Sequence, residues 1–214
     1  MRPVKLGPFS PITALTTAFN AQTFNSTGAA TAVTTSATTD GLAHQVTLTA
    51  PVQATLAGVT FTIVGVGNDG NVKTETGLTG PASGATVTST GYFKSITTIQ
   101  PSATMGALVV SVGIAAPSLL PALPLEWRSI VGAQHQVEIT GTINYTMQET
   151  LDGMFNASSD TLSWSSMSSA FSAKTATVVG QGVVGATGAR VLVNTVTNGA
   201  TLTWRVVCPT QQSG

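Results

Sequence analysis

Residues 136–148 constrain the fold more than any other stretch, because polar side chains occupy every even position and mostly apolar ones every odd position. The odd positions hold Val137, Ile139, Gly141, Ile143, Tyr145 and Met147. This alternation is typical of a β-strand with one buried and one solvated face, because successive side chains point to opposite sides. A helix would bring together residues three and four apart and would mix the two sets. The pattern predicts a single strand with Ile143 in the core and Thr142 on the opposite face.

Two dipeptides predict tight turns between β-rich runs, Asp69-Gly70 and Asn198-Gly199. Both fit a type I′ hairpin turn, which requires positive φ. The runs around them read as strands at 44–52, 59–66, 72–76, 86–99 and 108–113, and then at 175–184, 189–197 and 201–208. The first half shows no helical period. The prediction is an all-β chain of two antiparallel β-sandwich or barrel units.

Prolines and composition shifts predict the domain boundaries. Residues 1–40 begin with three prolines and continue into a Thr-, Ala- and Ser-rich run, so we expect an extended N-terminal arm. Residues 41–114 form the predicted first β domain, and residues 128–214 form the second. Between them, residues 115–127 carry three prolines and four leucines, which predicts a semi-rigid linker that docks on a domain face or on another subunit.

The charge content excludes some classes of partner. Only 7% of the residues are charged, against about 25% in typical proteins, and eight basic side chains balance eight acidic ones. No strongly basic face can form, so neither nucleic acid nor an anionic membrane is an expected partner. A free monomer normally keeps a well-charged surface. The composition therefore favours a protein covered by copies of itself or by neighbours, and the alternative is an extracellular β protein with a hydroxyl-rich surface.

The sequence offers no constellation for catalysis, a cofactor or a metal ion. The two histidines, His44 and His135, each begin a predicted strand, where an exposed side chain is the expected state. Loop 152–160 lacks the alternating oxygen ligands and the distal Glu of a calcium loop. Glu138 and Glu149 would fall on opposite faces of a straight strand, so they do not make a glycosidase pair. We expect a protein that is not an enzyme, with Cys208 as a lone buried thiol.

Two apolar segments are the candidate interfaces, because neither can form a core of its own. Prolines space the apolar residues of the first segment, and prolines interrupt the leucines of the second. The candidate interface residues are Val4, Leu6, Phe9, Ile12, Leu119, Leu120, Leu123 and Trp127. We expect them to contact another subunit.

Short motifs in both halves resemble modules of tailed-bacteriophage proteins. The second half resembles a family of small virion structural proteins. It does so through Gly141-Thr142, Tyr145-Thr146, Leu151-Asp152, Arg190-Val191, Val193-Asn194 and Leu202-Thr203. Residues 58–99 resemble another recurring phage module. Together the two matches cover about 150 residues. The resemblance implies a structural protein of the particle and leaves shell or tail open.

These observations give one leading hypothesis and two alternatives. The leading one is a non-enzymatic capsid decoration or cement protein in the virion, homo-oligomeric and bound to the major capsid protein. The first alternative is a structural component of the tail or of the head–tail junction, bound to tail proteins. The second is a glycan-binding or adhesive β module, for which Trp164 is the one plausible exposed aromatic platform.

Overall fold

The computed structural model describes residues 3–19, 21–24, 31–32, 37–52, 54–105, 108–125, 132–154 and 158–207. Strands dominate these ranges and pair antiparallel, which confirms the all-β prediction. The helical structure in them is a single 3₁₀ turn, Ser169–Phe171. None of the described residues belongs to a helix with the length and hydropathy needed to span a bilayer.

The strands are numbered in chain order. They are β1 Val4–Phe9, β2 Ala21–Phe24, β3 Thr31–Ala32, β4 Ala43–Thr49, β5 Thr60–Gly67, β6 Val72–Thr79, β7 Thr86–Pro101, β8 Leu108–Leu119, β9 Leu123–Pro124, β10 Gln134–Thr140, β11 Ile143–Thr150, β12 Ser165–Ser166, β13 Val178–Gln181, β14 Gly188–Val196 and β15 Thr201–Val207.

The chain divides into two compact units, and their boundaries differ from the predicted ones. The central unit is Ala14–Ser118, and the terminal unit joins Met1–Thr13 to Leu119–Gly214. The predicted arm is therefore split between the units. The predicted linker starts inside a strand, because β8 runs on to Leu119. The first part of the predicted arm is a strand of the terminal unit, because β1 hydrogen-bonds to β15.

The central unit is one antiparallel sheet in the order β8-β4-β7-β5-β6, with β2 paired to β8 and β3 paired to β7. β7 is one long bent strand, whose first half pairs with β4 and whose second half pairs with β5. Asp69-Gly70 makes the predicted β5–β6 hairpin: Gly70 has a φ of +83°, and the Asp69 carboxylate accepts the Asn71 N–H at 2.9 Å. The core is apolar and includes Val46, Leu48, Phe61, Ile63, Phe93, Ile96, Ile99, Val110 and Val112.

The terminal unit is a sandwich of two antiparallel sheets, with strand orders β1-β15-β10-β13 and β12-β11-β14-β9. The alternating stretch is not a single strand, since it breaks at Gly141 into β10 and β11, which belong to different sheets. Asn198-Gly199 also forms its tight turn, but β15 pairs with β10 rather than with β14. The two breaks lie side by side, because the Thr197 N–H donates to the Thr142 carbonyl at 3.0 Å. A long two-stranded ribbon thus folds over on itself at this corner, in the way that sheet-switching strands build sandwich corners.

The predicted inward and outward directions of the side chains hold on both sides of Ile143, although the strand breaks at Gly141. Ile143, Tyr145 and Met147 are fully buried, whereas Thr142 is exposed. Trp204, Leu202 and Val206 on β15 face the same interior, as their alternation predicts. The core of the terminal unit therefore comes mainly from the folded ribbon.

Tyr145 has a raised pKa. Its ring is buried, and its hydroxyl donates to the Ala176 carbonyl at 2.9 Å. Burial raises the pKa of Tyr145 to about 12, above the value of about 10 for an exposed tyrosine. Because the folded state holds this proton more tightly, its contribution to stability is complete below about pH 10 and is lost as the pH rises towards about 12.

Tyr145→Phe should remove this titration. We expect the wild-type free energy of unfolding to fall by about 2 kcal/mol more than that of the variant between about pH 9 and about pH 12. Urea unfolding followed by circular dichroism at both pH values measures the difference. Parallel losses in the two proteins would show that the phenol is not a buried titrating group.

Candidate interface

The predicted interface residues near the start of the chain lie along β1 and just beyond it. Val4 is opposite Val206, Leu6 is opposite Trp204, and Phe9 is opposite Leu202. Residues directly opposite each other share a face, so these three side chains point towards the sandwich interior. Val4, Leu6, Phe9 and Ile12 are all half-buried. Their first partner is thus the chain's own last strand, and their contact with another subunit stays a prediction.

The predicted interface leucines pack on the terminal unit. Packing on a domain face is one of the two outcomes expected for the linker, and contact with another subunit is the other. Leu119 and Leu120 are buried, and Leu123 is half-buried opposite Ala189. The Leu120 N–H donates to the Val191 carbonyl at 3.0 Å. The segment therefore lies along β14. Trp127 falls outside the described residues.

Both histidines are buried, so the prediction of exposed histidines at strand ends is wrong. In the central unit His44 is 0% exposed, and its Nε2 lies 2.9 Å from Asp40 Oδ2. Its Nδ1 lies 3.1 Å from the Ala115 carbonyl oxygen. Asp40 in turn accepts the Leu42 N–H at 3.0 Å. Both ring nitrogens are engaged within the chain, which makes His44 a cross-link between β4 and β8.

In the terminal unit, His135 lies in an aromatic pocket between the two sheets. The Trp204 indole N–H donates to His135 Nδ1 at 3.3 Å, and the two rings stack with centroids 6.0 Å apart. This donor fixes the tautomer with the proton on Nε2. Nε2 lies 3.6 Å from Oε1 of Glu149, which is 5% exposed and accepts the Val183 N–H at 2.9 Å through Oε2. The cluster joins β10 of one sheet to β11 of the other.

These polar clusters are built for structure. Both ring nitrogens of His44 have partners within the chain, and Nδ1 of His135 accepts the Trp204 N–H, so each ring ties neighbouring strands together. Glu138 does not face Glu149, because it pairs with Arg205. Within the described ranges, no three His, Cys, Asp or Glu side chains converge on a possible metal site.

A cavity of about 310 Å³ lies beside Glu149 in the terminal unit. It is lined in part by Asp152, Ser163, Ser165 and Met167. Asp152 already accepts the Ser163 N–H at 2.7 Å, and both oxygens of Glu149 face groups of the chain. Its carboxylates therefore hold the surrounding loops in place. Asn156 of the predicted loop lies outside the described residues.

Trp164 is half-buried, and part of its ring already contacts the chain. Its indole N–H donates to the Ser159 carbonyl at 2.8 Å, and the guanidinium carbon of Arg190 lies 4.2 Å from the ring centroid. One face of the indole is thus covered by a cation–π contact. Trp204 is fully buried.

Most described carboxylates serve the chain itself. Asp40, Glu149 and Asp152 are engaged as above, Asp69 closes the β5–β6 turn, and Glu75 accepts the N–H groups of Thr90 and Gly91 at 2.8 and 2.7 Å. The Glu138–Arg205 pair stays partly exposed, at 40% and 37%, and Lys5 is exposed. The large exposed apolar residues are Leu15, Val52, Val72, Val109, Leu151, Val179, Val183, Val184 and Val207.

Three of these valines mark an interface candidate that the sequence reasoning missed. Val179, Val183 and Val184 lie on and just after the edge strand β13. The sequence predicts a strand over 175–184 but does not show whether it lies at the edge or in the centre of a sheet. The available signal was the absence of any charged residue from Thr175 to Ala189. No protein-family model, no curated protein and no solved structure matches this chain in the comparisons made with each.

Proposed function

We propose that this chain is a non-enzymatic structural protein of a bacteriophage virion, and that it decorates the outer capsid as a cement protein. The observation that carries the proposal is that most described carboxylates are engaged by groups of their own chain. The described carboxylates bind histidines, backbone N–H groups and an arginine of their own chain, while valines and leucines stay exposed. Such a surface suits extended, uncharged contacts between many identical copies. The resemblance of its motifs to phage virion proteins favours the virion as the assembly that these copies form.

Two structural features favour this role over the enzymatic and glycan-binding ones. Both histidines are buried, at 0% and 1% exposure, so neither imidazole lies on the described surface. The face of Trp164 is covered by Arg190. The sandwich and the bent sheet instead offer rigid surfaces, and exposed apolar side chains usually mark protein–protein contact.

Electron cryomicroscopy of particles from the phage that encodes this chain tests the location. We expect density fitting the two β units at regular positions on the outer shell. Particles from a deletion phage should lose this density, and their shells should break at lower temperature, because apolar contacts between shell subunits are missing. Density confined to the tail or to the head–tail junction would contradict the decoration role and would assign the chain to those parts. Density in neither place would contradict the virion role.

A further inference from the structure

β13 is the edge strand of its sheet in the part of the chain that the structure describes. Val178 and Gly180 lie opposite Val137 and His135 of β10, and the Gly182 N–H donates to the Ala133 carbonyl at 2.8 Å. Because backbone groups alternate in direction along a strand, the N–H and C=O of Val179 and Gln181 point away from β10. No described residue hydrogen-bonds to these outward groups. The edge is therefore open to another strand.

The opposite edge of the same sheet is protected. β1 contains Gly7, with a φ of +97°, and Pro8, which has no N–H. Its register with β15 shifts between Leu6 and Phe9. Proline and bulges are the devices that natural sheets use to block edge pairing. This sheet can therefore grow past β13 but not past β1.

The segment that contains the edge strand has no charged residue, which favours pairing with an uncharged strand. No charged residue occurs from Thr175 to Ala189. Val179 is 67% exposed, and Val183 and Val184 beside it are more than half exposed. Gly180 adds no side chain, and a Cβ there would come within 2.6 Å of the Phe171 ring. A second copy of the same strand meets these requirements, because it places no like charges opposite each other and covers apolar surface on both sides.

We propose that β13 pairs antiparallel with β13 of a second copy, around a two-fold axis at Gly180. In this register Val179 of each copy lies opposite Gln181 of the other, and their outward N–H and C=O groups hydrogen-bond in pairs. The two sheets become one continuous sheet of twice the width. Because both copies use the same strand in the contact, the assembly is complete as a dimer. The two outer edges of the joined sheet are then the β1 strands. The inference goes beyond the proposed function and does not rest on it, because it concerns the free protein in solution.

The first test compares two exposed valines on edge strands. Val179→Lys places a charge at the two-fold contact, and Val179→Pro removes an N–H that points away from β10. Val72→Lys is the matched control, because Val72 is 80% exposed at the start of β6 in the central unit. Sedimentation velocity from micromolar to submillimolar concentration should give twice the 21.6 kDa chain mass for the wild type and for the control. Both Val179 variants should sediment as monomers with an unchanged melting temperature. A monomeric wild type, or Val179 variants as dimeric as the wild type, would overturn the proposal.

The second test fixes the register by disulfide formation in a Cys208→Ser background. Opposite residues of a hydrogen-bonded pair have Cα atoms about 5.5 Å apart, within the range of a disulfide. Mixing the Val179→Cys and Gln181→Cys proteins under oxidation should give a cross-linked heterodimer, and each variant alone should cross-link poorly. Efficient cross-linking of either variant with itself, or none in the mixture, would overturn the register at Gly180.

Discussion

Deleting residues 1–12 should destabilise the terminal unit by about 3 kcal/mol or more. The deletion removes β1, and with it the half-buried side chains of Val4, Leu6 and Phe9, each worth roughly half of the 1.5–3 kcal/mol of a fully buried apolar side chain. It also uncovers one flank of β15, where Trp204 is fully buried. This loss is a large fraction of the 5–15 kcal/mol that typically stabilises a domain.

Urea unfolding followed by tryptophan fluorescence measures this effect, because the tryptophans are Trp127, Trp164 and Trp204, all in the terminal unit. Lys5→Ala is the matched control. Lys5 is exposed on the same strand, and the substitution keeps the β1–β15 pairing. The control should unfold within about 0.5 kcal/mol of the wild type. An unfolding midpoint of the deletion variant equal to that of Lys5→Ala would mean that β1 does not stabilise the sandwich.

Trp204→Ala should cost about 3–5 kcal/mol, the usual range for removing a buried aromatic side chain. Trp204 is 0% exposed, stacks on His135 and donates to its Nδ1. The substitution leaves a cavity between the sheets and an imidazole nitrogen without its donor. Trp204→Phe keeps most of the volume but not the N–H, so its cost isolates the lost hydrogen bond, about 1–3 kcal/mol for an unsatisfied buried group.

Trp164→Ala provides the control for the tryptophan variants, since Trp164 is only half-buried. Chemical denaturation followed by far-ultraviolet circular dichroism gives the three free energies. We expect Trp204→Ala to be the most destabilised and Trp164→Ala the least. A reversed order would show that the cluster of Trp204, His135 and Glu149 is not the centre of the terminal unit's core.

The alternation at 136–148 correctly predicts which side chains point inward. It does not predict which strands are neighbours in a sheet. Side-chain period reports which face a residue takes, so Ile143 and Tyr145 are inside and Thr142 is outside. It does not report which sheet the strand joins. The pattern places Gly141 at an inward position within one strand. In the structure its φ of +73° marks the corner where the chain changes sheet. A Cβ at this position would lie 2.9 Å from the Ala200 Cβ, which is a second reason for glycine there.

The remaining differences arise from partners far away in the sequence. Nothing local to Val4 or Leu6 shows that they pair with a strand about 200 residues later. The burial of His135 likewise depends on Trp204 and Glu149, which come from other strands. The local sequence pattern therefore predicts an arm for Val4 and Leu6 and an exposed strand end for His135. Only the closing of the two sheets brings the partners together.

The same limit applies to function. The charge content is visible in the sequence, but the partners of Glu75, Glu149 and Asp152 are not, because they lie at distant positions that the fold brings close. The open edge of β13 also required the strand order, since an edge strand and a central strand can share one sequence pattern.

Quantitative mass spectrometry of purified particles tests the central claim most directly, namely that the chain acts as a structural subunit through contact with other proteins. We expect peptides of this chain in the particle at a fixed ratio to the major shell protein, in many copies per particle. They should remain after high-salt washing, because the proposed contacts are apolar and not ionic. Absence from purified particles, or loss on washing with salt, would contradict it.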